Sequence, residues 1–158
     1  METTGSVEER LQRIEDQLAI HRLLDDYAAF LDARDYERYA MLFAPNGEWI
    51  GGVGHHKGRA AIRAMLVDLL GPPGSENRTE FHLLSNARVD VEGDRATATS
   101  RYLFVRRGSD GGPQPALAGL YTDMLVRADG RWLIARRIAD DILPPPEEWA
   151  TQCTADRQ

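Results

Sequence analysis

Cysteine is nearly absent: the 158-residue chain has one, Cys153. A single thiol excludes an internal disulfide framework and fits a reducing compartment. Long apolar runs are missing too. Nothing approaches the roughly 20 apolar residues of a membrane-spanning helix. The first residues, Met1-Glu2-Thr3-Thr4-Gly5-Ser6, lack the basic and apolar segments of a secretory signal, so a cytoplasmic protein is expected. Positive charge is in deficit, with 19 Lys and Arg against 25 Asp and Glu, a net charge of −6 and a pI near 5.2. That excludes the basic face of a nucleic-acid surface and the basic patch that seeks an anionic membrane. No Gly-x-Ser-x-Gly elbow, internal repeat or second domain is visible. What is present is 42% hydrophobic and 28% charged, ordinary for one domain with a real core.

Ser6-Val7-Glu8-Glu9 has the form of a capping box, and residues 1–6 are expected to be disordered before it. From there Val7, Leu11, Ile14, Leu18, Leu24, Ala28 and Leu31 recur at helical spacing, with Ile20 and Tyr27 widening the stripe. The pattern predicts a helix over 7–33. Asp32 lies about 80° from Leu24 on that helix, at the edge of the apolar face, where a carboxylate can look into a cavity. Asp35 is placed to cap a short helix over 36–43 that Pro45 stops. A short strand at 48–50, a glycine-rich turn at 51–54 and a third helix at 59–70 follow, and Gly71-Pro72-Pro73-Gly74 ends the helix.

The second half reads as strands at 79–91, 95–106, 116–127 and 131–141, joined by turns at 92–94 and 128–130 and by a Gly/Pro-rich loop at 108–115, expected to be mobile. Pro144-Pro145-Pro146 closes the domain, and in the tail over 143–158 Trp149 is placed to pin the segment to the body or to a neighbouring subunit. Helices first and hairpins later predict an α+β fold: a cone-like α+β barrel, its strongly curved antiparallel sheet closed by the N-terminal helices over 7–142. Such a cone has a mouth for a small apolar molecule.

Two residues fifty positions apart carry the most chemistry: Asp32 at the end of the first helix, and His82 inside an apolar strand. A carboxylate that reaches an imidazole makes a general base that works near neutral pH without metal or organic cofactor. Each has a plain structural reading too. A lone strand histidine can be a packed core residue, and Asp32 can pair with Arg34 or Arg38. Alternation puts Glu80, His82, Leu84 and Asn86 on one strand face and Phe81, Leu83 and Ser85 on the other. Both faces are partly apolar, so alternation alone leaves the cavity face open.

The order of pieces resembles the nuclear-transport-factor-2-like superfamily, and within it the SnoaL-like group. The carriers are Ala19-Ile20-His21-Arg22-Leu23-Leu24 through Asp32, Leu42-Phe43-Ala44-Pro45-Asn46-Gly47-Glu48-Trp49, Phe81-His82-Leu83-Leu84-Ser85-Asn86, Gly119-Leu120-Tyr121-Thr122-Asp123, and Asp129-Gly130-Arg131-Trp132-Leu133-Ile134. The pattern is similar to scytalone dehydratase, bile-acid 7α-dehydratase and hexachlorocyclohexane dehydrochlorinase. That resemblance implies an Asp32–His82 dyad. Scytalone dehydratase has a second histidine on the next strand, where this chain reads Ser100-Arg101-Tyr102-Leu103, and a polarising tyrosine near the first short strand, where Trp49 is the nearest aromatic.

The expected reaction is a cofactor-independent elimination. His82, oriented by Asp32, removes a carbon-bound proton from a small hydrophobic cyclic or aromatic molecule such as a polyketide or steroid. Tyr27, Tyr102, Tyr121 and Arg101 are the candidate helpers of the leaving group. Trp49, Phe43 and Met65 are expected as core or cavity wall, with Leu84 beside them, and Asp123 and Arg137 are candidates to meet substrate or leaving group, with a cross-sheet ion pair to Arg101, Arg136 or Arg137 as the plainer role for Asp123. An isomerase or cyclase of polyketide or steroid type is the alternative, with Asp123 as base and Tyr121 as donor. A non-catalytic ligand binder or a subunit like the small chain of a ring-hydroxylating dioxygenase is another. Adjacent His55 and His56 point to opposite sides of an extended chain, so no metal is expected. Gly47 to Gly54 reads as a turn rather than a phosphate loop. An apolar sheet back predicts a homodimer or homotrimer.

Overall fold

The computed structural model describes residues 5–74, 77–144 and 148. Trp149 and Cys153 lie outside them.

The capping box forms in full. The Ser6 hydroxyl accepts the Glu9 amide at 3.2 Å, and the Glu9 carboxylate accepts the Ser6 amide at 2.8 Å. Helix α1 runs over Val7–Asp32, but its apolar residues fall on two faces rather than one stripe. Ile20, Leu23, Leu24, Tyr27 and Leu31 are buried, whereas Val7, Leu11, Ile14 and Leu18 are exposed. From Leu18 to Ile20 the helix turns about 200°, so the two sets point in opposite directions. The middle of α1 is instead tied down by a polar residue. Buried Asp16 accepts hydrogen bonds from Arg127 Nη1 at 2.5 Å and Trp132 Nε1 at 3.0 Å.

Asp35 caps helix α2, Tyr36–Met41, accepting the Arg38 amide at 3.1 Å. The chain leaves the helix before Pro45, and strand β1 spans Phe43–Gly51 with Pro45 inside it. Its pairing to the neighbouring strand is irregular between Phe43 and Glu48, so the missing proline N–H breaks no regular ladder. Strand β2, Gly54–Lys57, holds His55 and His56 in extended chain and takes in Gly54, the last residue of the expected turn. Helix α3 is Arg59–Leu70, burying Ile62, Met65 and Leu66.

The four long strands are β3 (Glu80–Glu92), β4 (Arg95–Arg107), β5 (Pro113–Ala128) and β6 (Arg131–Leu143). The Gly/Pro-rich stretch is shorter as a loop than its composition implied, because Pro113 to Pro115 already pair with β4. The sheet has six strands in the order β2-β1-β6-β5-β4-β3. It is antiparallel except where β1 runs parallel to β6. The sheet is curved, and α1 to α3 pack against its concave face.

Irregularities sit where the sheet bends. In β3 the pairing shifts between Ser85 and Arg88, and Asn86 has a φ of 54°. An extra residue there changes the parity of the strand. The half-buried side therefore runs Glu80, His82, Leu84 and then Ala87, Val89, Val91, and Asn86 leaves the face that strict alternation gave it. No helix among the described residues is long and apolar enough to cross a membrane.

Candidate active site

The end of α1 and the start of β3 are stitched together. Asn77 Nδ2 donates to the Asp32 carbonyl at 3.1 Å and to the Glu80 carbonyl at 3.0 Å. Arg34, in the left-handed region with φ 57°, pairs with Glu80 at 2.5 Å. This brings Asp32 onto His82 in two ways. The His82 backbone N–H donates to the Asp32 carboxylate at 3.0 Å, and the ring nitrogen Nδ1 lies 2.7 Å from Asp32 Oδ1. With the carboxylate as acceptor the hydrogen of this contact belongs to Nδ1, and Nε2 is the ring nitrogen that Asp32 leaves free. The Phe104 ring lies 4.7 Å from the imidazole, centroid to centroid, and limits its rotation.

His82 opens on a cavity of about 270 Å³ between the helices and the concave sheet. Leu31, Met65, Leu66, Leu69 and Leu70 supply the helix side, and Phe104, Leu117 and Ala139 the sheet side. Trp49, Gly52 and Val53 come from β1 and the turn after it. Asp32 is not part of the lining; it stands behind the imidazole.

Aromatic hydroxyls gather at the base. Tyr27 lies 4.7 Å from Tyr39 and 5.5 Å from Tyr121, and Tyr121 stacks on Tyr102 at 4.3 Å. Trp49 Nε1 donates to the Tyr27 hydroxyl at 3.1 Å. Burial, reinforced by neighbouring Tyr27, holds the Tyr39 and Tyr121 hydroxyls well above the usual phenol range, so both are neutral.

Beneath them lies a sealed ion pair. Arg137 Nε and Nη2 each donate to Asp123 at 2.7 Å, and both residues are fully buried. Burial works against the Arg137 charge, and the Asp123 carboxylate outweighs it, so the guanidinium is held charged. Its carbon lies 3.8 Å from the Tyr27 ring centroid and 4.2 Å from that of Tyr121. Its Nη1 is buried without a hydrogen-bond partner among the described residues.

The chain as a whole has known relatives. The profile of the SnoaL-like domain family matches residues 12–138. The chain belongs to the SnoaL-like domain family. A gamma-hexachlorocyclohexane dehydrochlorinase from Sphingobium indicum is 28% identical over 131 residues, 82% of each chain. An NTF2-like protein with a cystatin-like fold from Novosphingobium aromaticivorans is 28% identical, with a TM-score of 0.78 over 91% of this chain and 93% of that one. The structure of LinA superposes with a TM-score of 0.72 at 26% identity, covering 84% and 89%. The SnoaL-like chain therefore has an enzyme of the lyase class among its relatives, and an α+β fold shared with NTF2-like proteins.

Of the residues expected at the site, the SnoaL-like chain brings His82, Tyr27, Tyr102, Tyr121, Trp49 and Met65 to one cavity. Arg101 is elsewhere: it neighbours Tyr102 on β4, so with Tyr102 pointing inward it points outward and is exposed. Phe43 is fully buried under Tyr27 and Tyr39 and is core, not wall. Leu84 shares the His82 face but packs nearer α1, beside His21 and Leu24. Asp123 and Arg137 pair with each other below the phenols and do not line the cavity.

Sequence reasoning missed Glu80, Arg106 and Asp141, all of which line the cavity. Glu80 had a signal, being two residues from His82 on the same strand face. Asp141 accepts a hydrogen bond from the Tyr102 hydroxyl, a contact between strands that are not neighbours. Among the described residues no group of three or more His, Cys, Asp and Glu could hold a metal ion.

Proposed function

We propose that this protein is a cofactor-independent lyase acting on a small hydrophobic cyclic or aromatic molecule. The observation that carries the reading is the oriented imidazole. Asp32 holds Nδ1 at 2.7 Å, and His82 is part of the wall of an apolar cavity. Nε2 of His82 removes a proton from a substrate carbon, and Asp32 balances the imidazolium that forms. The electron pair left on carbon expels a leaving group from the next carbon, as halide or, with a proton, as water. Negative charge that develops on the substrate meets the phenol hydroxyls of Tyr27 and Tyr121, with the Arg137 cation fixed beneath their rings.

A positioned base contributes about 10²–10⁴-fold. That suffices for a C–H made acidic by a neighbouring carbonyl, phenol or halogen. An open cavity, rather than one filled by the protein's own side chains, favours this reading over a purely structural subunit. A second reading, isomerase or cyclase, draws on Asp141 as a second carboxylate in the same wall, because a second base can relay the abstracted proton to another carbon.

A panel of halogenated and hydroxylated cyclic compounds separates the two. Elimination releases halide or lowers the mass by one water; isomerisation conserves mass. No turnover of any activated compound counts against both. We further propose a homodimer or homotrimer through the convex sheet face, where Phe81, Leu83, Met124 and Ile138 are exposed. Sedimentation of wild type against Leu83→Glu/Met124→Glu checks it: the expected result is a shift to monomer, and a wild type already monomeric at tens of micromolar contradicts it.

A further inference from the structure

The cavity has a second polar end that the elimination does not use. Tyr102 on β4, Gly119 on β5 and Asp141 on β6 form one row across three strands. The Tyr102 side chain crosses over β5 and donates its hydroxyl to Asp141 Oδ1. Only glycine permits this crossing. A Cβ at position 119 would overlap both the Tyr102 hydroxyl and the Asp140 carbonyl. The pair is thus built by a backbone feature as well as by two side chains. Both Tyr102 and Asp141 line the cavity, amid mainly apolar groups. Burial, then the bond to Asp141, pushes the Tyr102 hydroxyl well above the usual phenol range, so it stays protonated and keeps donating to the carboxylate.

A phenol that donates to a carboxylate still has lone pairs to accept with, and the carboxylate has a second oxygen. Together they form an acceptor site with no donor of its own to spare. We propose that the Tyr102–Asp141 pair is a subsite for a ligand hydroxyl, one that binds an uncharged donor group and turns away carboxylates and phosphates. The partner chemistry follows from its place. His82 is on β3, directly opposite Phe104, and the Tyr102 hydroxyl reaches over β5, two strands away. At about 4.8 Å per strand the two ends are roughly 10 Å apart. The ligand class is a flat, apolar molecule about two fused rings long, with a hydroxyl at the end remote from His82. The proposal concerns recognition and does not need the elimination chemistry.

The test uses the full chain and calorimetric titration with 2-naphthol, 2-methoxynaphthalene and 2-naphthoate. Wild type is expected to bind 2-naphthol at least tenfold more tightly than its methyl ether, and to bind 2-naphthoate least. Asp141→Asn removes the charge that strengthens the bond and lowers the preference. Tyr102→Phe/Asp141→Ala brings it close to one while the ether still binds, which shows the cavity intact. His82→Ala leaves it in place. A wild type that does not bind 2-naphthol at millimolar concentration, or does not distinguish it from the ether, overturns the proposal. So does a preference that survives the double substitution, or one that His82→Ala abolishes.

Discussion

Two acid–base pairs lie a few side chains apart in this protein and behave as opposites. Asp32–His82 sits at the cavity, with side chains 24% and 14% exposed, joined through one ring nitrogen. Asp123–Arg137 lies under the cavity, fully buried and joined through two parallel hydrogen bonds. The buried pair is closed: the carboxylate is fully engaged and the guanidinium does not give up a proton. The other is open, since an imidazole can gain and lose a proton near neutral pH and has a second nitrogen to do it with. Complementary charge is common to both; what separates structure from chemistry is a titratable group with a free atom at a cavity.

The comparison breaks most readily at the closed pair. Asp123→Ala strands the Arg137 charge in the interior, and such a loss costs about 3–5 kcal/mol. Urea unfolding should show it, and a loss under about 1 kcal/mol would mean that water already reaches the guanidinium. At the open pair the effect should be kinetic. Asp32→Asn keeps the shape but removes the carboxylate that orients His82, so turnover should fall by about 10²-fold, near the lower end of what a positioned base supplies. Stability should change far less than in Asp123→Ala, because the Asp32 carboxylate keeps some contact with solvent, whereas Asp123 and Arg137 have none. If the two variants lose similar stability, the contrast drawn above is wrong.

How far these pairs could be read in advance depends on the range of the contacts. Helix α1, its capping box and α3 follow from local spacing and were legible. Asp32 and His82 were legible as candidates, but their meeting depends on Asn77 and Arg34 stitching α1 to β3, which no local pattern announces. Tyr102 and Arg101 are adjacent on one strand, so both could not face the cavity, and only the fold decides which one does. Asp123 was legible as an ion-pair partner, yet choosing Arg137 over Arg136 or Arg101 requires the β5–β6 register, in which Asp123 and Arg137 are directly opposite. Asn86 escaped its expected face because a bulge reverses strand parity. The Tyr102–Asp141 contact spans two strands and was hidden, although a glycine inside a strand, Gly119, was a visible sign of close approach.

A smaller effect should follow at that glycine. Gly119→Ala forces a methyl against the Tyr102 hydroxyl and the Asp140 carbonyl, and overpacking of this kind costs about 1–3 kcal/mol. Thermal unfolding measures it, and the same variant should lose the preference for 2-naphthol over its ether. A variant as stable as wild type, with that preference intact, would show that Tyr102 reaches Asp141 by another route.

The most direct test is turnover by His82→Ala on whichever activated cyclic substrate the wild-type protein consumes, measured beside its unfolding curve. The account expects a fall of about 10²–10⁴-fold with the folded state retained. Undiminished turnover in a folded His82→Ala protein would contradict it.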